Sequence, residues 1–249
     1  MMGISPQFLF RSILSDLPRG QPIGVQQLQA HGLSAKHASR LAQTGWLHRL
    51  GRGVYLLLGD SLDRQASLAQ LAQLIPGLHV AGKTALAWWG VRHNLAVREH
   101  LSLWGNAPAS LPSWFTVSFP AHYQAAHLFD NTLPPTLGLA ALPDGRPDVL
   151  VSTPDRALLE LLSDVGKRQG LEEASHLLES AQTLRLAVLE ELLGHLTRIK
   201  VARLAAVLSH DLALPWQAIA QHYSERLGGG ERWVTRGRTG ERINLKRTS

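Results

Sequence analysis

Apolar residues fall along the chain in two rhythms, and the first sixty positions use both. Phe8, Phe10, Ile13, Leu14 and Leu17 recur at helical spacing and predict a first helix over residues 7–17, stopped by Pro18, Gly20 and Pro22. A short second helix is expected over 25–31, with Val25 and Leu28 inward. Gly32 supplies the turn, because a residue without Cβ takes positive φ at little cost. Ser34 is a suitable N-cap for a third helix over 35–44, on which Ala38, Leu41 and Ala42 share one face. Gly45 ends it. Two short apolar runs follow, 46–50 and 54–58, divided by Gly51-Arg52-Gly53. That pattern predicts a tight hairpin with Arg52 at its tip. Helix, turn, helix and two-stranded wing is the resulting reading.

The remainder alternates between the two rhythms. A helix is expected over 62–75, ending at Pro76, and a short one over 84–89. Strands are expected over 100–104 and 114–119, and a hairpin pairs 137–142 with 148–151 around the turn at Asp144-Gly145. Thr153 and Pro154 open a strongly apolar helix, since proline suits the first helical position. Three more helices are expected over 171–182, 184–196 and 198–213, and a final hairpin pairs 231–235 with 241–246. The fold class expected is α+β: an N-terminal winged helix-turn-helix over 1–60, a linker helix and the start of a second domain over 61–98, and a larger mixed helix and antiparallel-strand domain over 99–249.

Charge sharpens this picture. The chain of 249 residues carries a formal net charge of +6, unevenly spread. Residues 17–59 contain five bases and no acid; residues 60–194 contain nine bases and fourteen acids; residues 195–249 contain ten bases and four acids. A compact module that excludes acids and presents Arg and Lys suits a polyanion, most simply duplex DNA. The third helix would enter the major groove with Lys36, Arg40 and Gln43 near base edges and His37 on the same face. Ser34 and Ser39 would lie near phosphates, and Arg49 and Arg52 on the wing would reach backbone or minor groove. A winged helix can also serve protein contact, but the acid-free composition argues against that use.

Other chemistry finds less support. There are no cysteines, which excludes disulfides, thiolate zinc sites and a cysteine nucleophile and fits a reducing compartment. The N-terminal residues lack a long apolar run, and no eighteen-residue apolar stretch occurs, so a soluble cytoplasmic protein without membrane association is expected. Twelve histidines invite a metal search, but no H-E-x-x-H spacing appears, and His122 and His127, five apart, have no acid between them. Asp144, Asp148, Asp155 and Glu160 are better read as turn and helix residues than as a catalytic set. Residues 77–84 fit G-x-x-x-x-G-K-[ST] letter for letter. A true phosphate loop follows a buried strand, however, and here a helix ending at Pro76 precedes it, while Leu78, Val80 and Ala81 inside the loop suggest a strand. Gly82 is therefore expected to make a local turn, Lys83 not to bind nucleotide, and the protein to be no enzyme and to need no cofactor.

The ordered segments GRGVY, HVAGKTALAWWG, VLVSTPDRALLELL and KVARLAAVL…LPW…GGGERWVTRG resemble the AbiEi family of antitoxin and transcriptional regulators from type IV toxin–antitoxin, abortive-infection systems. The resemblance runs over nearly the whole chain. It implies an N-terminal domain that binds inverted repeats in operator DNA and represses its own operon, with self-association on DNA. It implies a C-terminal domain that counteracts a cognate nucleotidyltransferase-like toxin, with or without a stable complex, in phage defence. By position, Lys200, Arg203, Arg232, Arg236 and Arg238 would form a basic C-terminal face linked to antitoxicity or further nucleic-acid contact. The alternatives are a winged-helix regulator whose C-terminal domain senses a ligand, and a nucleotide-binding enzyme using Lys83.

Overall fold

The structure is a computed structural model. It describes residues 16–92, 99–181, 183–228, 232–236 and 242–246, the last two stretches as backbone only. The chain divides into two compact units, one of Met1–Leu74 with Ser110–Pro120, the other of Ile75–Ala109 with Ala121–Ser249.

In the first unit, β1 (Ile23–Gly24) leads directly into α1 (Val25–Ala30), followed by α2 (Ala35–Gln43), β2 (Leu47–Gly51), β3 (Val54–Leu57) and α3 (Arg64–Leu74). The three strands form one antiparallel sheet in the order β1-β3-β2. The two helices of the predicted helix-turn-helix end in the same way. Gly32 has φ +82° and Gly45 has φ +80°. Leu33 donates back to the carbonyl of Leu28 at 2.8 Å, and Trp46 to that of Leu41 at 2.9 Å, closing a Schellman motif at each helix end. The first stop releases the chain toward α2 and the second toward the wing. Leu17, Ile23, Leu28, Leu33, Ala38, Leu47, Tyr55 and Leu57 form the shared core, with Leu41 and Ala42 packed against it. The expected helix over 7–17 lies outside the described residues except at its end, where Leu17 is buried. Asp63 caps α3, accepting the Ala66 amide at 2.7 Å.

One expectation fails in this unit. Residues 114–119, read as a strand from their aromatic and β-branched side chains, are the helix α5 (Ser113–Ser118), entered from Pro112. Trp114 and Phe115 are buried, and the Phe115 and Phe119 rings lie 5.4 Å apart, one helical turn from each other. Packing along that turn overrides strand propensity. Trp114 Cδ1 lies 3.4 Å from the point where a Cβ on Gly51 would stand, so the wing accepts α5 closely there.

The second unit holds a five-stranded mixed sheet. Its strands are β4 (His79–Val80), β5 (Leu101–Gly105), β6 (Ala121–Ala125), β7 (Leu139–Ala140) and β8 (Val151–Ser152), in the order β6-β5-β4-β8-β7. β5–β6 and β4–β8 are parallel, while β4–β5 and β7–β8 are antiparallel. The expected hairpin appears as the short β7–β8 pair, and β6 is a strand the sequence did not suggest. Around the sheet run α4 (Gly82–Trp88), α6 (Pro154–Asp164), α7 (Leu171–Ser180), α8 (Leu186–Gly194), α9 (Ile199–Asp211) and α10 (Gln217–Leu227). Helix α10 was also unforeseen. α6 is buried on nearly every side, with Leu158, Leu159 and Leu162 wholly inaccessible. Each such leucine contributes about 1.5–3 kcal/mol. The final hairpin is β9 (Arg232–Arg236) with β10 (Arg242–Lys246), antiparallel as expected.

Candidate nucleic-acid interface

The first unit presents α2 and the wing with their polar sides outward. Ser34 caps α2: its Oγ accepts the His37 amide at 3.3 Å. That bond satisfies one of the free amides of the first turn and fixes where the helix begins. Ala38 has no accessible surface, which turns the opposite residues outward. Lys36, His37, Arg40 and Gln43 are all exposed. Positions 36, 40 and 43 fall on one stripe of the helix.

The wing is a hairpin with Leu47 opposite Leu57 and Arg49 opposite Tyr55; the register shifts between Arg49 and Gly51. Gly53 has φ +72°, the left-handed backbone that a non-glycine residue adopts only with strain. Its carbonyl accepts the Val25 amide at 2.8 Å, pinning the turn to the start of α1. Arg52 stands exposed at the tip. The strand β1 behind β3 was missed in the sequence, being only two residues long.

The five bases of the acid-free stretch do not share one fate. Arg19 donates from Nε to Asp60 at 2.7 Å, and the Gly20 amide donates to the other oxygen at 2.7 Å. Burial acts to raise the Asp60 carboxyl, but Arg19 and the Gly20 amide outweigh it and hold it below its ordinary value. Arg49 donates to Ser39 Oγ at 3.1 Å and to the Tyr55 hydroxyl at 3.4 Å. Lys36, Arg40 and Arg52 remain outward. All five are exposed, but Arg19 and Arg49 commit part of their guanidinium to bonds within the protein.

The predicted residues of the C-terminal unit separate. Lys200 is half-buried and its Nζ bonds the Val165 carbonyl at the end of α6. Burial, then the nearby Lys167 and Arg198 charges, push it below the usual lysine value against the opposing pull of Asp164. Arg203 reaches the Gly228 carbonyl at 3.4 Å. Arg232 and Arg236 stand on β9, described by backbone only, and Arg238 lies outside the described residues.

The nucleotide-loop match is not a phosphate cradle. The Gly82 amide, at φ +51°, donates instead to Glu160 Oε2 at 3.0 Å. Glu160 is fully buried and accepts from His79 Nε2 at 3.1 Å and Arg156 Nε at 2.9 Å on its other oxygen. An internal carboxylate thus takes the anion's place, and Lys83 pairs with Glu173. Burial would raise the Glu160 carboxyl, but the His79 and Arg156 charges and the Gly82 amide overcome it and hold it well below the usual carboxylate range. The other acids do not converge: Asp148 pairs with Arg146, and Asp155 with Arg185. His122 stacks on His100 with ring centroids 5.4 Å apart. Among the described residues no group of His, Cys, Asp and Glu is arranged to hold a metal ion, and no helix is long and apolar enough to cross a membrane.

A family model described as the AbiEi antitoxin transcriptional regulator of type IV toxin–antitoxin systems matches residues 98–246, and a model for the AbiEi antitoxin N-terminal domain matches residues 8–97. The chain belongs to this family. The resemblance of the ordered segments is thereby upheld over almost the full sequence, and the chain is an AbiEi-type antitoxin regulator. Among solved structures, the RV2827C protein of Mycobacterium tuberculosis superposes with a TM-score of 0.60 at 16% identity, covering 90% of this chain and 82% of that one. At that identity the likeness concerns the fold alone. No curated protein matches the sequence at a significant level. For an AbiEi-type regulator, α2 and the wing are the candidate interface with nucleic acid.

Proposed function

We propose that this AbiEi-type regulator binds inverted repeats in the DNA upstream of its own operon, represses that operon, and counteracts a nucleotidyltransferase-like toxin encoded beside it. The observation that carries the DNA reading is the exposed stripe of Lys36, Arg40 and Gln43 on α2 next to a wing tipped by Arg52, with no acid between Leu17 and Gly59. Helix α2 occupies the major groove and the wing tip reaches the flanking backbone or minor groove. A two-fold repeat takes two copies, either as a dimer or as monomers that assemble on the DNA. The antitoxin role rests on the family, which is that of AbiEi antitoxin regulators of type IV toxin–antitoxin systems. The C-terminal bases and the cytoplasmic location belong to this reading, as do domain limits near residues 60 and 98.

Gel shift with a duplex from the region upstream of the gene tests the first part. Replacing Arg40 and Arg52 together by Ala should weaken binding and flatten its dependence on salt, because two phosphate-facing charges no longer release counterions. Unchanged binding would remove the module assignment. Co-expression with the neighbouring gene product tests the second part: undiminished toxicity contradicts antitoxin action.

A further inference from the structure

We infer that Arg49 is a positioning residue, clamping the wing to the recognition helix rather than meeting a phosphate itself. The inference rests on the DNA-binding reading and specifies how its two contact elements keep their spacing. Arg49 stands on β2 opposite Tyr55 of β3. Its Nη2 donates to Ser39 Oγ of α2 at 3.1 Å and to the Tyr55 hydroxyl at 3.4 Å. Its guanidinium carbon lies 5.7 Å from the Tyr55 ring centroid. One planar group therefore joins the helix to both strands of the ribbon. Its targets are themselves fixed. Tyr55 is 2% exposed and pairs with Ile23 of β1 on its far side. Ser39 follows Ala38, which is sealed in the core. Burial would raise the Tyr55 hydroxyl, yet its bonds to Ser39 and Arg49 hold it below its ordinary value, as a hydroxyl facing a cation should be.

The place of the clamp gives it leverage. The β2–β3 register shifts between Arg49 and Gly51, immediately before the tip. A bulge is where a ribbon bends and twists. Arg49 holds the last regular pair before that bulge, so it sets the base from which Arg52 projects. Without it, Arg40 on α2 and Arg52 at the tip lose their fixed separation, and DNA binding must supply the missing order. Lysine is expected to replace it poorly, because both hydroxyl bonds leave from Nη2 while the planar guanidinium lies over the Tyr55 ring, a face that an ammonium does not offer.

Fluorescence anisotropy across a range of KCl tests this, using a duplex from the upstream region and a random duplex of equal length. Arg52→Ala, a phosphate-facing control, should lower the slope of log K against log salt by about 0.9. Arg49→Ala and Arg49→Lys should each weaken binding about tenfold, comparable to one charged hydrogen bond, with the slope unchanged. Ser39→Ala should weaken binding in the same way, and the Arg49→Ala/Ser39→Ala pair should be no weaker than Arg49→Ala alone, because both break one clamp. In the protein without DNA, these changes should speed amide exchange over residues 47–57 more than over the rest of the first unit. Ser39→Ala is the mildest change and carries the test should Arg49→Ala unfold the unit. Wild-type binding by Arg49→Lys, or a slope in Arg49→Ala reduced like that of Arg52→Ala, would overturn the clamp while leaving DNA binding intact. Failure of the unaltered protein to bind either duplex would sink the DNA reading and the clamp with it.

Discussion

Replacing Glu160 by Gln perturbs one charge and almost no volume, and the structure sets the size of the response. The carboxylate receives the Gly82 amide at 3.0 Å on one oxygen, and His79 at 3.1 Å and Arg156 at 2.9 Å on the other. A glutamine oriented to keep the second pair turns its NH2 toward the Gly82 N–H, so two donors face each other. An unsatisfied buried amide alone costs about 1–3 kcal/mol. Arg156, whose side chain is only 12% exposed, also loses its carboxylate partner. Breaking a buried pair by removing one member typically costs 3–5 kcal/mol. The two estimates overlap in the same contacts, so the expected loss is about 3–5 kcal/mol in all. For a unit of this size that lowers the melting temperature by roughly 10 °C. Urea unfolding followed by tryptophan emission reads it, since Trp104 and Trp216 are buried in the same unit. The pH dependence supplies an independent signature. The folded carboxyl sits well below its ordinary value of 4.5, so the stabilisation is full above about 4.5 and drains away as pH falls through the lower folded value. Glu160→Gln should remove that acid-side slope and bring the two proteins together at low pH. A loss under about 1 kcal/mol, or parallel pH curves, would refute the view that Glu160 is the charge centre joining β4, α4 and α6.

Smaller changes at two sites test local claims. Ser34→Ala should destabilise the first unit by about 1 kcal/mol through loss of the cap, whereas Ser34→Asp should keep stability but weaken DNA binding by placing an anion at the helix end; denaturant melts and anisotropy separate the two. Ala213 ends α9 with φ +50° in a turn where Leu214 donates to Ser209 at 2.8 Å, a place usually held by glycine. Ala213→Gly should therefore raise stability by about 0.5–1 kcal/mol in urea melts, with a decrease counting against strain at that residue.

The winged helix was legible because each boundary carries its own chemistry: Ser34 as cap, Gly32 and Gly45 as stops, and Gly51-Arg52-Gly53 as tip. What escaped was whatever depends on distant partners. β1 is two residues whose strand character comes from pairing with Tyr55 and Val54. Helix α5 is composed like a strand and folds as a helix because Trp114 and Phe115 find a buried surface. The stretch 217–227 has no long apolar run, its apolar residues being mixed with polar and charged ones, yet α10 forms there, with Ala220 sealed against its surroundings and Trp216 buried at its start. Candidate bases were visible as letters but their directions were not. Arg19 turns to Asp60, Arg49 to Ser39 and Tyr55, and Lys200 to Val165. Spacing in sequence does not encode which cation meets an internal oxygen first. The misleading nucleotide-loop letters carry the same lesson, since the anion that meets the Gly82 amide is Glu160, seventy-eight positions later.

The central claim is that nucleic acid lies against α2 and the wing. Hydrogen exchange read by mass spectrometry, with and without the upstream duplex, maps that contact with no substitution at all. The account predicts slowed exchange over residues 34–57 when the duplex is added. Exchange there that ignores the duplex, while residues of the second unit become protected, would contradict it.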